Sequence, residues 1–288
     1  MDLSLYGATG IIGSYFSGLF PVHCIPRNQL HPTTKEILYL ISTTDNKTYK
    51  ENPHIDVETN LVQLLKRLEA CRTAGIHTFN FVSSWFVYGS DHQYPNEEAN
   101  CDPNGFYSIT KYTAEKLVKE YCTSFGINYR IFRLGNVYGG PDKGSTKRNA
   151  LHYLIEQLKE DKDITVYINI SRDFIHILDV CRALELLCNH GRVNSTYNVG
   201  TGLSIRFGYA LDKAKHILNS KGHVLRDVVP SDYNQAVRFG LNCTKLQAHG
   251  FKPLISFEEG LKDLCLNQKF CTPDPTLMEK KLMLQLPH

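Results

Sequence analysis

Tyr107 and Lys111 stand four residues apart in F-Y-S-I-T-K-Y-T-A-E, a stretch that reads as the start of a long amphipathic helix reaching about Phe125. That spacing puts both side chains on one helical face, a turn apart. A phenol with its ordinary pKa of about 10 is a poor base at neutral pH, and a neighbouring ammonium favours the phenolate by direct Coulomb attraction. Ser84 is the second residue of the run S-S-W-F-V-Y-G, which follows a strand expected over Thr78–Val82. Its hydroxyl is suited to bond the substrate oxygen whose proton Tyr107 takes or gives. With a dinucleotide carrying hydride, Ser84, Tyr107 and Lys111 form a set for interconverting a carbinol and a carbonyl. Taken one at a time they are equally well a helix-surface pair and a strand-end serine; their order after a glycine turn is what points to chemistry.

The glycine turn lies in L-S-L-Y-G-A-T-G-I-I-G, from Leu3 to Gly13. A short strand breaks into Gly7, Gly10 and Gly13 and then a helix to about Phe20, so free backbone N–H groups at the helix start face any pyrophosphate above the turn. Gly7, Thr9, Gly10, Ile11, Ile12 and Gly13 are the candidate contacts. The spacing is G-x-x-G-x-x-G, and by itself it fits a plain turn as well as a dinucleotide cradle.

The remaining elements must position this set. Val22–Pro26 reads as a second strand ending in Arg27, where an acid would suit a free ribose 2′-hydroxyl and a base a 2′-phosphate. Arg27 therefore leans toward NADP, the alternative being an ordinary solvated arginine. The next strand, Glu36–Ile41, follows after about ten residues, too few for two crossover units, so a strand at one sheet edge is expected to be missing or rudimentary. Its C-terminal loop, S-T-T-D-N, offers Ser42 and Thr43 to a cofactor or merely to turn chemistry. Asp56–Ala74 reads as a helix with Val57, Asn60, Leu61, Leu64, Leu65, Leu68 and Cys71 inward, Asn60 tying it to a strand's backbone. Asn128–Leu134 is a strand whose last residue, Leu134, closes the cofactor set before G-N-V-Y-G-G-P. A helix over Asn149–Lys159, an extended Ile164–Ile168, a helix opened by Arg172–Val180 and running to about His190, and a strand at Tyr197–Gly200 follow.

This alternation implies an α/β fold, a doubly wound parallel sheet of Rossmann type, abbreviated near its second strand, with a smaller C-terminal lobe. Residues 1–141 and 173–202 are assigned to the dinucleotide domain, residues 142–172 and 203–288 to the substrate lobe. The chain of 288 residues, 42% hydrophobic, is long enough for such a core. Its 32 basic and 29 acidic residues are well mixed, which argues against nucleic acid or a membrane surface as partner. Nine cysteines without a C-x-x-C pair fit neither a disulfide framework nor a metal site. Leu3–Phe20 is apolar like a signal peptide but has Asp2 in place of a basic leader, so a cytoplasmic protein is expected.

As an ordered set, G-A-T-G-I-I-G, S-S-W-F-V-Y-G, Y-S-I-T-K, R-L-G-N-V-Y-G, R-D-F-I-H-I-L-D-V and Y-N-V-G-T-G resemble the extended short-chain dehydrogenase/reductase family, specifically its nucleotide-sugar epimerase, dehydratase and reductase branch. The resemblance runs from Leu3 to about Leu266. It implies NAD(H) or NADP(H), a nucleoside-diphosphate sugar as substrate, Ser84, Tyr107 and Lys111 as catalytic residues, and Lys111 also on the nicotinamide ribose. Substrate contacts fall on Ser84, Trp85 and Asn136, with Arg172 and Arg238 on the diphosphate. A homodimer through the helices of Asn60 and Tyr107 is implied as well. Family dehydratases carry Asp-Glu after the catalytic hydroxyl where this chain has Trp85-Phe86, which speaks against 4,6-dehydration. Three readings follow in order: an NADPH-dependent 4-keto-deoxysugar-nucleotide reductase, a 4-epimerase on retained NAD, and a non-catalytic dinucleotide sensor or scaffold.

Overall fold

The computed structural model describes residues 1–43, 52, 54–140, 150–230 and 236–266. Thr44–Asn46 of the loop after the third strand, residues 141–149 with the expected lobe boundary and Asn149, Gln235, and the tail from Asn267 lie outside these.

The glycine turn and the Ser84 tip belong to one six-stranded sheet, ordered β2-β1-β3-β4-β5-β9. It comprises β1 (Leu3–Tyr6), β2 (His23–Ile25), β3 (Glu36–Tyr39), β4 (Thr78–Ser84), β5 (Asn128–Leu134) and β9 (Ser195–Val199), every pair parallel. Parallel pairing brings all their C-terminal ends to one side. β2 and β3 flank β1 on opposite sides, so the strand order reverses there, and open parallel sheets bind ligands outside such a reversal. Residues 26–35 hold neither strand nor helix, and β2, three residues long, is the sheet edge. The abbreviated edge expected from the ten-residue interval is present.

The central strands are apolar on both faces because helices cover both. On one face α1 (Ile11–Leu19) and α6 (Ile177–His190) bury Phe16, Val180 and Leu184 against Leu5, Leu38 and Phe132. On the other, α3 (Gln63–Thr73) and α4 (Phe106–Ser124) bury Leu64, Leu68, Ala114 and Val118 against Tyr39, Phe79, Phe81 and Ile131. Ahead of α3 come one turn of helix, α2 (His54–Val57), and a π turn, Glu58–Val62.

A second apolar core sits among smaller elements: α5 (Ala150–Lys159), α7 (Phe207–Leu218) and α9 (Phe257–Leu266) around a three-stranded sheet, β10-β8-β6, and a parallel pair, β11-β7. These strands are β6 (Asn136–Tyr138), β7 (Ile164–Tyr167), β8 (Ser171–His176), β10 (Ser204–Arg206) and β11 (Val224–Asp227). The short α8 (Thr244–Gln247) packs against β9.

Two expectations are corrected. Arg172–His176 is a strand, not the start of a helix; the helix begins at Ile177, with His176 Nδ1 accepting the Leu178 N–H at 3.3 Å as its cap. All six residues of β8 are buried, and a strand buried on both faces shows no alternation to distinguish it from a buried helix. On the helix after β3, Val57 and Leu65 are both 43% exposed, whereas Asp56, Asn60, Leu64, Arg67, Leu68 and Cys71 are buried. The π turn adds a residue to one turn and rotates the faces that simple helical spacing predicts.

Candidate active site

The turn after β1 is shaped by its glycines. Gly7 has φ +89°, a conformation that side chains disfavour, and a Cβ on Gly13 would lie 2.2 Å from the Gly7 carbonyl oxygen. Gly10 N–H donates to that same carbonyl at 3.0 Å. Helix α1 has Gly10 at its N-cap without a side-chain cap, so its first N–H groups face the open turn. Thr9 and Ile11 are exposed there and Ile12 is half-buried. This cradle fits a dinucleotide pyrophosphate.

Next along the sheet edge, Ser84 is the last residue of β4, in register with Leu134 at the end of β5. Its Oγ caps a 3-10 turn, Trp85–Tyr88, accepting the Phe86 N–H at 3.4 Å. The strand tip is held from beneath. Ser83 Oγ donates to Glu115 of α4 at 2.5 Å, and Glu115 takes a bidentate fork from Arg133 of β5 (Nη2 to Oε2 2.7 Å, Nε to Oε1 3.0 Å). Glu115 and Arg133 are 1% and 3% exposed, so the pair works where water does not compete. The sequence reading missed it; the only signal was a glutamate four residues after Lys111.

Tyr107 opens α4 beside Ser84. The residue is partly exposed, but its phenol end is enclosed, and that burial pushes the pKa up to about 12; the Asp56 charge pushes the same way, while hydrogen bonding with Ser84 and Ser42 opposes it. The phenol therefore carries its proton at neutral pH. Lys111, one turn on, is buried, donates to the Val82 carbonyl at 2.7 Å and lies 4.3 Å from the Phe81 ring centroid. Burial lowers its pKa to about 7, with Glu115 acting in the opposite direction. In this ligand-free arrangement the lysine is bonded to β4, and burial dominates the phenol's titration.

Ser42 and Thr43, at the end of β3, link this centre to Asn60. Asn60 Oδ1 accepts the Thr43 N–H (3.0 Å) and lies 3.0 Å from Ser42 Oγ; its Nδ2 donates to Thr43 Oγ1 (2.8 Å) and to Thr110 Oγ1 of α4 (2.9 Å). The sequence predicts a tie from Asn60 to a strand's backbone; Asn60 ties its helix instead to the backbone of the loop that follows β3. The contact of Ser42 with the Tyr107 phenol was not foreseen.

The expected substrate residues lie on the other side of Ser84. Trp85 is stacked between Phe86 (4.2 Å) and Phe239 (4.3 Å), with the Arg172 guanidinium 5.0 Å from its ring. Phe86 stands edge-on to Tyr107 at 6.0 Å. Arg172 is 4% exposed, and its Nη1 donates to the Ser171 and Val237 carbonyls. Arg238 is exposed on the strip that bridges to Ser171. Asn136 keeps an enclosed Nδ2 with no acceptor among the described residues. Arg27 is exposed just past β2, its carbonyl accepting from Arg67 Nη2 at 3.3 Å.

The sequence profile of the NAD dependent epimerase/dehydratase family matches residues 30–200, more than half of the chain. A putative UDP-glucose 4-epimerase of Methanocaldococcus jannaschii is 29% identical over 216 residues, covering 74% of this chain and 70% of that protein. The dTDP-D-glucose 4,6-dehydratase of Dictyostelium discoideum is 26% identical over 71% of this chain and 57% of its own length. Among solved structures, RMD from Pseudomonas aeruginosa complexed with NADPH superposes with a TM-score of 0.81 at 22% identity, over 93% of this chain and 98% of that one. The UDP-glucose 4-epimerase of Thermotoga maritima with UDP-glucose gives 0.79 at 21% identity, over 97% and 100%. The structural likenesses support the fold, and the profile match settles the kinship: the chain belongs to the NAD dependent epimerase/dehydratase family, the extended short-chain dehydrogenase/reductase enzymes that act as nucleotide-sugar epimerases, dehydratases and reductases.

Proposed function

We propose that this enzyme reduces a 4-keto-deoxysugar nucleotide with NADPH, releasing the oxidised cofactor at each turnover. The observation that carries the reading is the open adenosine end: β2 is a three-residue edge strand, no strand lies beyond it among the described residues, and Arg27 is exposed beside it. A cofactor that must leave each cycle suits an open half-site, whereas one that is oxidised and re-reduced in place suits an enclosed one.

A dinucleotide held at the Gly7–Gly13 turn would supply the hydride that reduces the carbonyl carbon. Tyr107, which carries its proton at neutral pH, donates it to the oxygen as that becomes a hydroxyl; a charged Lys111 near the phenol would offset the burial that makes the phenol a weaker acid. Ser84 Oγ holds that oxygen. Lys111, freed from Val82, is assigned to the nicotinamide ribose and the phenolate left behind. Trp85 and Phe86 take the places of a dehydratase's acid pair, and the half-buried Phe86 ring, backed by the buried Trp85, is assigned as an apolar wall for a deoxygenated sugar carbon. Asn136 is assigned to the nucleotide-sugar. For the diphosphate the exposed Arg238 is favoured, and Arg172 is assigned to support the wall through Trp85. The exposed apolar side chains Val57 of α2, Leu65 of α3, and Phe106 and Ile109 of α4 are assigned to a homodimer contact, which light scattering checks. A reducing, cytoplasmic setting suits the eight free thiols among the described residues.

The test is the cofactor carried through purification and its consumption. Protein that purifies without dinucleotide and consumes NADPH in proportion to a 4-keto-sugar nucleotide supports the reductase. Tightly held NAD with no net consumption replaces it by the 4-epimerase.

A further inference from the structure

Among the described residues Asp56 is the carboxylate whose charge acts on Tyr107, and neither the chemistry above nor the fold uses it. It lies in α2, one helical turn before Asn60, and is 2% exposed. Both of its oxygens are enclosed, and neither has a donor among the described residues. Other buried polar groups nearby show how such groups are ordinarily treated: Asn60 of the following π turn has both ends of its amide bonded, and Glu115 of α4 has its full fork from Arg133. Asp56 also lies near the reaction centre. α2 packs against α4, and the Asp56 charge is close enough to act on the Tyr107 phenol.

An unpaired buried carboxylate costs several kcal/mol unless a donor reaches it. Lys111 is bonded to Val82, and Asn60, Ser42 and Thr43 satisfy one another. Among the described residues no donor is left for Asp56, which makes a ligand the candidate source, and the ligands proposed for this site are anions by virtue of their phosphates. What such a ligand can offer to two adjacent acceptor oxygens is a pair of neighbouring hydroxyls on a sugar ring, one O–H to each.

We propose that Asp56 is a binding residue of the active site, accepting a vicinal hydroxyl pair of a sugar ring through both carboxylate oxygens. The inference rests on the reductase-type site proposed above. Two rings could bring that pair, the ribose beside the nicotinamide and the hexose of the nucleotide-sugar, and the measurement separates them.

Asp56→Asn keeps size and shape; Asp56→Leu removes every acceptor and serves where the amide substitutes in part. For both variants, calorimetric titration with NADPH and with UDP-glucose is compared with wild type, together with the melting temperature of the ligand-free protein. The dissociation constant of one ligand should rise roughly ten- to a hundredfold, as expected for losing hydrogen bonds to a charged acceptor, while that of the other holds. A rise for NADPH assigns the ribose, a rise for UDP-glucose the hexose. The ligand-free melting temperature should hold or rise, because an uncompensated charge is removed. Unchanged constants for both ligands, or a lowered melting temperature in both variants, overturns the inference. Tyr107→Phe in parallel keeps the two ideas apart. Its loss of turnover together with unchanged binding in the Asp56 variants sinks the Asp56 role alone, whereas full turnover in Tyr107→Phe sinks the site and this inference with it.

Discussion

The two ends of the sheet's ligand side are built to opposite rules. Between β4 and α4, Ser83, Ser84, Lys111, Glu115 and Arg133 are all more than nine-tenths buried, and a continuous set of hydrogen bonds locks strand tip to helix. Beyond β1, the edge strand is three residues long, His23 and Cys24 are exposed, and Arg27 faces water. A proton must be handed over within a fraction of an ångström, so the chemistry end cannot tolerate play. Cofactor exchange requires only that the other end let go. On the proposed reading, one sheet holds reaction geometry rigidly and leaves cofactor choice to a few exposed side chains.

Substitutions at the two ends should therefore differ in kind. The largest effect is expected from Tyr107→Phe, which removes the proton donor and keeps the ring: turnover should fall by roughly a thousandfold or more, with the dinucleotide dissociation constant nearly unchanged. Steady-state rates and a fluorescence titration measure the two. Loss of cofactor binding without any defect in the bound enzyme's turnover would mean that Tyr107 is a structural residue and that the contrast between the ends is misdrawn.

Arg133→Ala tests the rigidity itself. It leaves Glu115 charged, buried and without its fork, which should cost about 3–5 kcal/mol in urea unfolding. A change at Arg27 should leave stability within about 0.5 kcal/mol, as for exposed residues generally. Equal costs at the two positions would erase the comparison.

How much of this contrast the residues announce in advance depends on the range of the forces involved. The glycine turn, the Tyr107/Lys111 pair and the strand bearing Ser84 are local patterns, and each falls where the spacing puts it. The pared edge is also legible, because ten residues cannot hold the missing units. The Ser42–Asn60–Thr110 links and the Arg133–Glu115 fork join residues 18 or more positions apart and exist only once the layers pack. The π turn escapes a fixed helical period, so Val57 and Leu65 are read as inward although both face out. β8 misleads for a related reason: burial on both faces removes the alternation by which Arg172–His176 could be recognised as a strand.

The buried lysine offers a milder probe of the closed end, through pH. With its pKa lowered to about 7 by burial, Lys111 is charged in folded and unfolded chains alike below that pH, and its burial then costs most. From about pH 7 up to the ordinary lysine range the unfolded chain binds more protons than the folded one, so this contribution to stability rises with pH. Between about pH 7 and pH 9 it amounts to roughly 2 kcal/mol. Buried thiols such as Cys71 and Cys122, whose pKa values burial raises, pull the other way at alkaline pH. The quantity to measure is therefore the difference in unfolding free energy between wild type and Lys111→Met across that range. A difference that does not change with pH would mean that Lys111 is not held in a dry site.

The smallest effect, and the one that bears most directly on the open end, is cofactor choice. Arg27 is exposed, so a contact with a 2′-phosphate is screened by water and salt, and a preference for NADPH over NADH of only about tenfold is expected from it. Arg27→Asp replaces attraction by repulsion and offers a free 2′-hydroxyl an acceptor, so the ratio should invert. Raising the ionic strength should shrink the wild-type preference while leaving the effect of Arg133→Ala in place, because Debye screening reaches exposed charges and not buried ones. Dissociation constants for both cofactors, in wild type and variant and at two salt concentrations, complete the test. A ratio indifferent to both the substitution and the salt would make Arg27 a bystander, and would move the choice between a reductase with exchanging NADPH and an epimerase with retained NAD onto residues other than those of the open edge.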